Sequence, residues 1–296
     1  MTQSIKGILL AGGSGKRLYP LTMAISKQLL PVYDKPMVYF PLTTLMLAGV
    51  RDIAIITRPQ DQTQFIRLLG DGSQWGVSLT YLVQDKPEGL AQAYLIAEDF
   101  LDGAASLMAL GDNIFFGSGL TAKLRTAMQA SEGATVFGYQ VTEPERYGVL
   151  GFNENGGVNQ IIEKPRNPPS NLAVTGLYVL DNTAPAKAAK IEKSDRGELE
   201  ITSVLNLYLK EGKLSVDKMG RGYAWFDTGT HASLLEAGLF VKTVSERQSV
   251  QIGCPEEIAF KRGWISAEEL MKTTQRLGKS HYGEYLRALG TLSGAL

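Results

Sequence analysis

Through the first half of the chain, short apolar runs alternate with longer stretches of helical period. Residues 5–10, 53–57, 79–83, 106–110 and 135–141 read as strands, with helices predicted over 37–48, 61–69, 90–100 and 120–130. Several of these strands are apolar at consecutive positions, which suits burial on both faces of a parallel sheet. The alternation predicts an α/β fold, a Rossmann-like doubly wound mixed sheet, over about residues 1–140.

Beyond that point the rhythm changes. Residues 149–152 and 158–163 flank Asn153-Glu-Asn-Gly-Gly157, a hairpin signature. Further strands are expected at 174–180 and 214–219, separated by a helix whose acidic start, Glu198 and Glu200, favours the positive end of its dipole. From residue 230 onward the pattern is helical, with segments at 232–247, 255–261, 267–276 and 282–289. The expected layout is a core over 1–230, with a β-rich insertion from 141, followed by a helical C-terminal tail over 231–296 that suggests oligomerisation or regulation.

A chain of 296 residues buries roughly 75% of its unfolded surface. Its 44% hydrophobic content is enough for a core without disulfide staples. The one cysteine, Cys254, lies in the polar stretch Ile-Gly-Cys-Pro-Glu with no histidine near in sequence, and reads as structural or incidental. A single thiol fits a reducing compartment. The apolar run at 8–10 is too brief for a signal-peptide core, and nothing approaches the ~20 apolar residues of a spanning helix, so a cytoplasmic location is expected.

Charge balances at 30 Lys plus Arg against 30 Asp plus Glu, leaving no global field to attract nucleic acid or an anionic membrane. The balance is uneven along the chain. Residues 1–33 hold Lys6, Lys16, Arg17 and Lys27 and no acidic residue, so an anion site is expected locally. Its centre is Leu10-Ala-Gly-Gly-Ser-Gly-Lys-Arg-Leu-Tyr-Pro-Leu-Thr22, directly after the first strand. Gly12, Gly13 and Gly15 free the backbone to turn and to offer N–H groups to a phosphate, with Ser14 between them. The motif is neither a Walker loop nor a dinucleotide fingerprint, because Arg17 follows Lys16 and Leu18 stands where a third glycine belongs. That argues against a dinucleotide oxidoreductase. Read blandly, the stretch is a glycine-rich turn with two solvated cations; three glycines and two cations at a sheet edge favour the phosphate.

Gly-Gly-x-Gly-x-Arg-Leu-x-Pro-Leu-Thr followed by Lys27-Gln-Leu-Leu-Pro-Val32 resembles the signature of the sugar-phosphate nucleotidylyltransferases. Gln84 with Gly89-Leu-Ala-Gln-Ala93, Leu110-Gly-Asp-Asn113, Glu145-Arg-Tyr-Gly-Val149, Glu163-Lys-Pro165, Gly176-Leu-Tyr178 and Trp225-Phe-Asp-Thr-Gly229 extend the likeness along essentially the whole chain. The block at 89–93 and the length resemble the branch that joins dTTP to α-D-glucose 1-phosphate, releasing pyrophosphate and dTDP-glucose. The resemblance implies a nucleotide-binding part to about residue 140 and a sugar-binding part over 141–230.

What the resemblance implies for single residues is chemically coherent. Two polyanions must meet, which calls for cations and a metal more than for a nucleophile. Arg17 is expected to clamp the departing phosphates, and Lys27 to contact the α-phosphate or the attacking phosphate. Asp112 and Asp227 match the carboxylates that hold Mg²⁺, an ion served by one or two carboxylates plus phosphate and water oxygens. Taken alone, an Asp after a strand is as often a turn former. Gln28, Gln84 and Gly89 are implied in base recognition, since an amide matches the carbonyl and N3–H edge of thymine or uracil. Glu163 would accept from sugar hydroxyls, Lys164 would neutralise the sugar phosphate, and Asn113 would touch it. Gly148 would admit backbone to the sugar beside Tyr147 and Val174, although Tyr147 reads equally as a core aromatic. Gly220, Arg221, Glu257 and Arg262 resemble a second, regulatory nucleotide site where dTDP-L-rhamnose inhibits, though exposed cations are usually only solvated. A homotetramer is the family precedent. UTP in place of dTTP, and a non-catalytic nucleotide-sugar sensor, are the competing readings; no nucleic-acid or membrane partner is expected.

Overall fold

The computed structural model describes residues 5–129 and 132–292. In chain order the first part runs β1 (Ile5–Ala11), β2 (Pro31–Val32), β3 (Lys35–Pro36), α1 (Tyr39–Ala48), β4 (Asp52–Thr57), α2 (Gln62–Leu69), β5 (Ser78–Val83), α3 (Gln92–Ile96), α4 (Glu98–Leu101) and β6 (Ala105–Leu110). β5, β4, β1 and β6 lie side by side and parallel, in that order. The chain thus leaves β1 toward one side of the sheet and returns on the other at β6. Crevices of such sheets open at that reversal, beyond the carboxyl ends of the strands.

β1 shows why its apolar residues are consecutive. Leu9 and Ala11 join a core with Leu42 and Leu45 of α1, while Ile8 and Leu10 join a second core on the other face with Tyr94 of α3. Both faces are dry, so alternation disappears.

The next part contains β7 (Asn113–Gly117), α5 (Leu120–Met128), β8 (Ala134–Gln140), β9 (Gly148–Phe152), β10 (Val158–Glu163), β11 (Leu172–Leu180), α6 (Ala184–Ala188), α7 (Ile201–Lys210), β12 (Leu214–Met219) and β13 (Tyr223–Asp227). β11 runs antiparallel to β6 and carries the sheet onward through β8 and β12, while β9 and β10 form the expected hairpin at its end. Asn153 closes that hairpin, its Oδ1 accepting from Asn155 N and Gly157 N at 3.1 and 2.9 Å.

Three expectations change. The helix predicted over 90–100 is two short pieces, because Ala91 N is drawn to Leu199 O at 3.1 Å and the backbone departs from helical geometry at Ala97 (φ −92°, ψ 4°). The acidic helix start is only partly as expected: Glu200 is the N-cap of α7, which begins at Ile201, and Glu198 lies ahead of it, but the Glu200 side chain makes no capping hydrogen bond and instead accepts from Ser194 Oγ at 2.8 Å and pairs with Arg196 at 3.3 Å. β7 and β13, unread from the sequence, form an antiparallel ribbon of their own. The helix predicted over 120–130 is described to Met128; Ala130 lies outside the described residues.

The C-terminal part is helical as expected: α8 (His231–Gln248), α9 (Pro255–Lys261), α10 (Ala267–Leu277) and α11 (His281–Leu292). α8 packs on β2 and β13 through a third core containing Val32, Ile114 and Val241, and α9 packs on α1. Cys254, polar in its sequence context, is buried against Glu256 and Tyr282. Among the described residues, no helix is long and apolar enough to cross a membrane.

Candidate active site

β1 and β6 end beside each other at the reversal of strand order. After β1 the chain turns through residues 12–15 into a 3₁₀ turn at Lys16–Leu18. Gly15 is left-handed (φ 64°), and its carbonyl accepts from Leu18 N at 2.9 Å and Thr22 Oγ1 at 2.7 Å. Gly13 faces open space, whereas at Gly12 a Cβ would lie 1.9 Å from Gln84 Oε1. A second 3₁₀ turn, Lys27–Leu29, holds Lys27 and Gln28 almost wholly buried under the loop.

Lys27 Nζ donates to Asp112 Oδ2 at 2.5 Å, and Asn113 Nδ2 donates to Asp112 Oδ1 at 2.7 Å. Burial works to raise the Asp112 carboxyl, but Lys27, Asn113 and Arg17 outweigh it and hold Asp112 below the usual carboxylate value. Asp112 and Asp227, 115 positions apart, are joined by the β7–β13 ribbon. Asn113 pairs with Asp227 across it, and Thr228 donates to Asp112 O from N and Oγ1 at 3.1 and 2.8 Å. Asp227 goes the other way: burial pushes its carboxyl up, with Asp112 adding to the effect and Arg146, 3.5 Å from Oδ1, opposing it.

β9, β10 and β11 supply the facing wall. Tyr147 stacks obliquely on Trp225, ring centres 5.1 Å apart, and burial with the nearby Asp227 carboxylate pushes its phenol up to about 12. A Cβ on Gly148 would meet Thr202 at 2.7 Å and Glu163 Oε2 at 3.4 Å, so glycine keeps this wall thin. Burial and the neighbouring Glu200 raise Glu163, which lies 3.4 Å from Arg196 and 3.7 Å from Lys164.

Three cavities of about 200 to 230 Å³ adjoin here. The first lies along the glycine loop and is lined by Gly13, Ser14, Gly15, Arg17, Lys27 and Gln28. Leu10, Gln28, Gln84, Pro87 and Gly89 enclose the second. The third has Asn113, Tyr147, Gly148, Glu163, Lys164, Val174 and Asp227 on its walls. Asp112 lines all three, and Arg17 lines the first and third.

Except for Gly12, which lies against Gln84 at the edge of this region, every residue expected at the nucleotide and sugar sites lines one of these cavities. The regulatory group is divided. Glu257 and Arg262 line a separate cavity of about 690 Å³ with Phe115, Phe116, Arg125 and Ile252, but Gly220 and Arg221 lie on an exposed turn between β12 and β13 and do not line it. Residues without an expected role also contribute, Arg146 and Trp225 on the wall of the third cavity and Gln92 and Arg196 as partners of residues that line the cavities. Arg146, Gln92 and Trp225 sit inside the sequence blocks that carried the family likeness, and Arg196, which binds Glu163, Glu198 and Glu200 together, sits in none of them.

A cationic glycine loop and a hydroxyl-accepting cavity that meet at one carboxylate suit the joining of a nucleotide to a second phosphate. The chain belongs to the Nucleotidyl transferase family, which it matches over residues 6–244, and is a nucleotidyltransferase. It is 59% identical over 289 residues to glucose-1-phosphate thymidylyltransferase of Xanthomonas campestris pv. campestris (strain B100), covering 98% of each chain. The enzyme of that name from Neisseria meningitidis serogroup A is 54% identical over 285 residues, covering 96% of this chain and 99% of that one. Among solved structures, one from Bacillus anthracis described as a glucose-1-phosphate thymidylyltransferase in complex with sucrose superposes with TM-score 0.74 at 41% identity, covering 80% of this chain and 95% of that one. A UDP-glucose pyrophosphorylase bound to UDP-glucose shares the fold at TM-score 0.72 and 23% identity, over 81% and 99% of the two chains.

Proposed function

We propose that this chain transfers a thymidylyl group from dTTP to α-D-glucose 1-phosphate, yielding dTDP-glucose and pyrophosphate. The observation that carries the reading is Asp112 at the junction of the three cavities. Identities of 51 to 59% to enzymes named for this reaction support the substrate pair.

In this reading the base enters the cavity of Gln28, Gln84 and Gly89, and the triphosphate follows the glycine loop past Lys27. The sugar occupies the cavity of Tyr147, Gly148, Glu163 and Val174. A phosphate oxygen of glucose 1-phosphate attacks the α-phosphorus in line. The bond from that phosphorus to the bridging oxygen breaks, and pyrophosphate leaves along residues 13–17. Arg17 faces both sides of the break and stabilises the charge that develops there. Lys27 fixes Asp112 and lies beside the α-phosphate, while Glu163 accepts sugar hydroxyls and Lys164 and Asn113 meet the sugar phosphate.

The donor chemistry of Asp112 and Asp227 fits Mg²⁺: two oxygen ligands, brought together by the ribbon beside a phosphate path, with room for phosphate and water oxygens. Bound there, the ion would neutralise charge on the phosphate oxygens. The cavity of Glu257 and Arg262, with Arg125 and several aromatic and aliphatic walls, suits a dTDP-linked sugar such as dTDP-L-rhamnose as an inhibitor, and the helical tail suits assembly into a homotetramer.

Pyrophosphate release from dTTP plus glucose 1-phosphate with Mg²⁺ tests the reading, and Arg17→Ala and Asp227→Ala should each lower kcat by about 10² or more. No turnover of any common nucleoside triphosphate with glucose 1-phosphate would refute it. Competing dTTP with UTP measures the preference between bases that differ by one methyl, worth about 1–3 kcal/mol.

A further inference from the structure

Gln84 follows β5, its backbone N–H bonded to Thr57 O at 2.8 Å and its side chain almost wholly buried on the wall of one cavity. An amide side chain can present oxygen or nitrogen, and the choice decides which base edge it reads. Here the choice is imposed from outside the cavity. The backbone N–H of Glu88, a donor that cannot reverse, bonds Gln92 Oε1 at 3.1 Å, while Gln92 Nε2 faces Glu88 Oε2 at 3.4 Å. Gln84 meets the same Gln92 oxygen at 2.7 Å, so it must offer Nε2 there. Gln84 Oε1 is thereby turned the other way, above Gly12, where the lack of a side chain leaves it space.

Glu88 is itself held firmly. Its carbonyl accepts from Leu199 N at 2.6 Å, and its carboxylate accepts from Lys193 Nζ at 2.6 Å. A backbone donor on a pinned loop therefore sets the polarity of a side chain two bonds away. Gln92 lines none of the three cavities and acts only through Gln84.

We infer that Gln92 is a positioning residue that makes the base pocket selective for a pyrimidine carrying N3–H, thymine or uracil, against cytosine. Gln84 Oε1 accepts the N3–H proton of the first two. Cytosine presents a lone pair at N3, and oxygen against that lone pair repels. Without the Gln92 acceptor, the Gln84 amide turns freely and offers Nε2 to cytosine. The inference rests on the reading of this cavity as the base pocket.

Gln92→Met removes the acceptor while keeping length and volume. At neutral pH, the ratio of kcat/KM for dTTP over dCTP should narrow by about tenfold or more, the worth of one directed hydrogen bond, with KM moving and kcat held. Calorimetric binding of the two nucleotides without sugar should narrow equally. Gln92→Glu, made together with Glu88→Gln so that no carboxylate faces it at 3.4 Å, keeps an oxygen facing Gln84 Nε2 and should retain the ratio. An unchanged ratio in a folded Gln92→Met protein, or equal losses in the Met and Glu variants, overturns the inference. N3-methyl-dTTP extends the test to the unaltered protein: it should bind at least about tenfold more weakly than dTTP, and equal binding overturns the inference with no variant needed. Failure of the unaltered protein to release pyrophosphate from dTTP would instead sink the parent reading, so the two failures are distinguishable.

Discussion

Asn113 holds its carboxamide, 2% exposed, between two fixed partners. Trp225 Nε1 donates to its Oδ1 at 2.6 Å, and its Nδ2 donates to Asp112 at 2.7 Å. An indole N–H can only donate, so Trp225 dictates the orientation in which Asn113 supports the carboxylate. Trp225→Phe keeps the ring contacts with Phe115, Tyr139 and Tyr147 but orphans the Asn113 oxygen. We expect a loss of about 1–3 kcal/mol in thermal or denaturant unfolding, together with reduced turnover as Asn113 is released. At this scale the cations of the glycine loop were legible in the sequence, because charged residues beside glycines are conspicuous, whereas the two carboxylates were marked out by the likeness of their blocks to the family. The partners that orient them were not legible, since Trp225 and Gln92 look like ordinary residues until their neighbours across the fold are known.

At the scale of elements, the junction of β11, α7 and the turn before β8 depends on Asp181. Its Oδ2 accepts from Gly133 N at 2.7 Å, and its Oδ1 accepts from Thr183 N, Thr183 Oγ1 and Tyr208 Oη at 2.9, 2.5 and 2.7 Å. Burial works to raise this carboxyl, but those donors outweigh it and hold it below the ordinary 3.8. Its contribution to stability is therefore complete above that ordinary value and is lost as pH falls through the lower folded one. Asp181→Asn must point an amide nitrogen at a donor and should cost about 1–3 kcal/mol at neutral pH. The variant should also lose less stability than the parent between pH 5 and 3, as thermal melting across that range would check. Long buried strands and the Gly-containing hairpin were readable from pattern alone. The β7–β13 ribbon was not, because each strand is short and pairs with a partner more than a hundred residues away.

For the molecule as a whole, α9 and α11 of the tail are joined by a buried polar cluster against which Lys35 of the core packs. Tyr282 Oη of α11 donates to Glu256 Oε2 of α9 at 2.5 Å and lies 3.2 Å from Cys254 Sγ, while the Lys35 ammonium sits 5.4 Å from the Tyr282 ring centre. Burial pushes both the Tyr282 phenol and the Cys254 thiol well up, so each stays a neutral donor. Tyr282→Phe removes the hydroxyl donor of the Glu256 carboxylate, leaving it the weaker Cys254 thiol at 3.9 Å, and should lower the melting temperature, by about 1–3 kcal/mol in unfolding free energy. Pyrophosphate release should be largely retained, since Tyr282 lines none of the three cavities.

The sequence by itself determined the parallel α/β core and the glycine loop with its excess of cations, because hydrophobic period, glycine placement and charge are local properties, while Arg17, Lys27, Asp112 and Asp227 were marked out by the likeness of their sequence blocks to the family. Only the tertiary structure decided that Asp112 and Asp227 line one cavity, that the side chains of Glu198 and Glu200 turn to Arg196, Glu200 doing so from the N-cap of α7, and that Glu88 sets the face of Gln84 through Gln92. Those outcomes depend on strand register and on which donor reaches which oxygen. Both are set between segments far apart in the chain, where no local pattern records them.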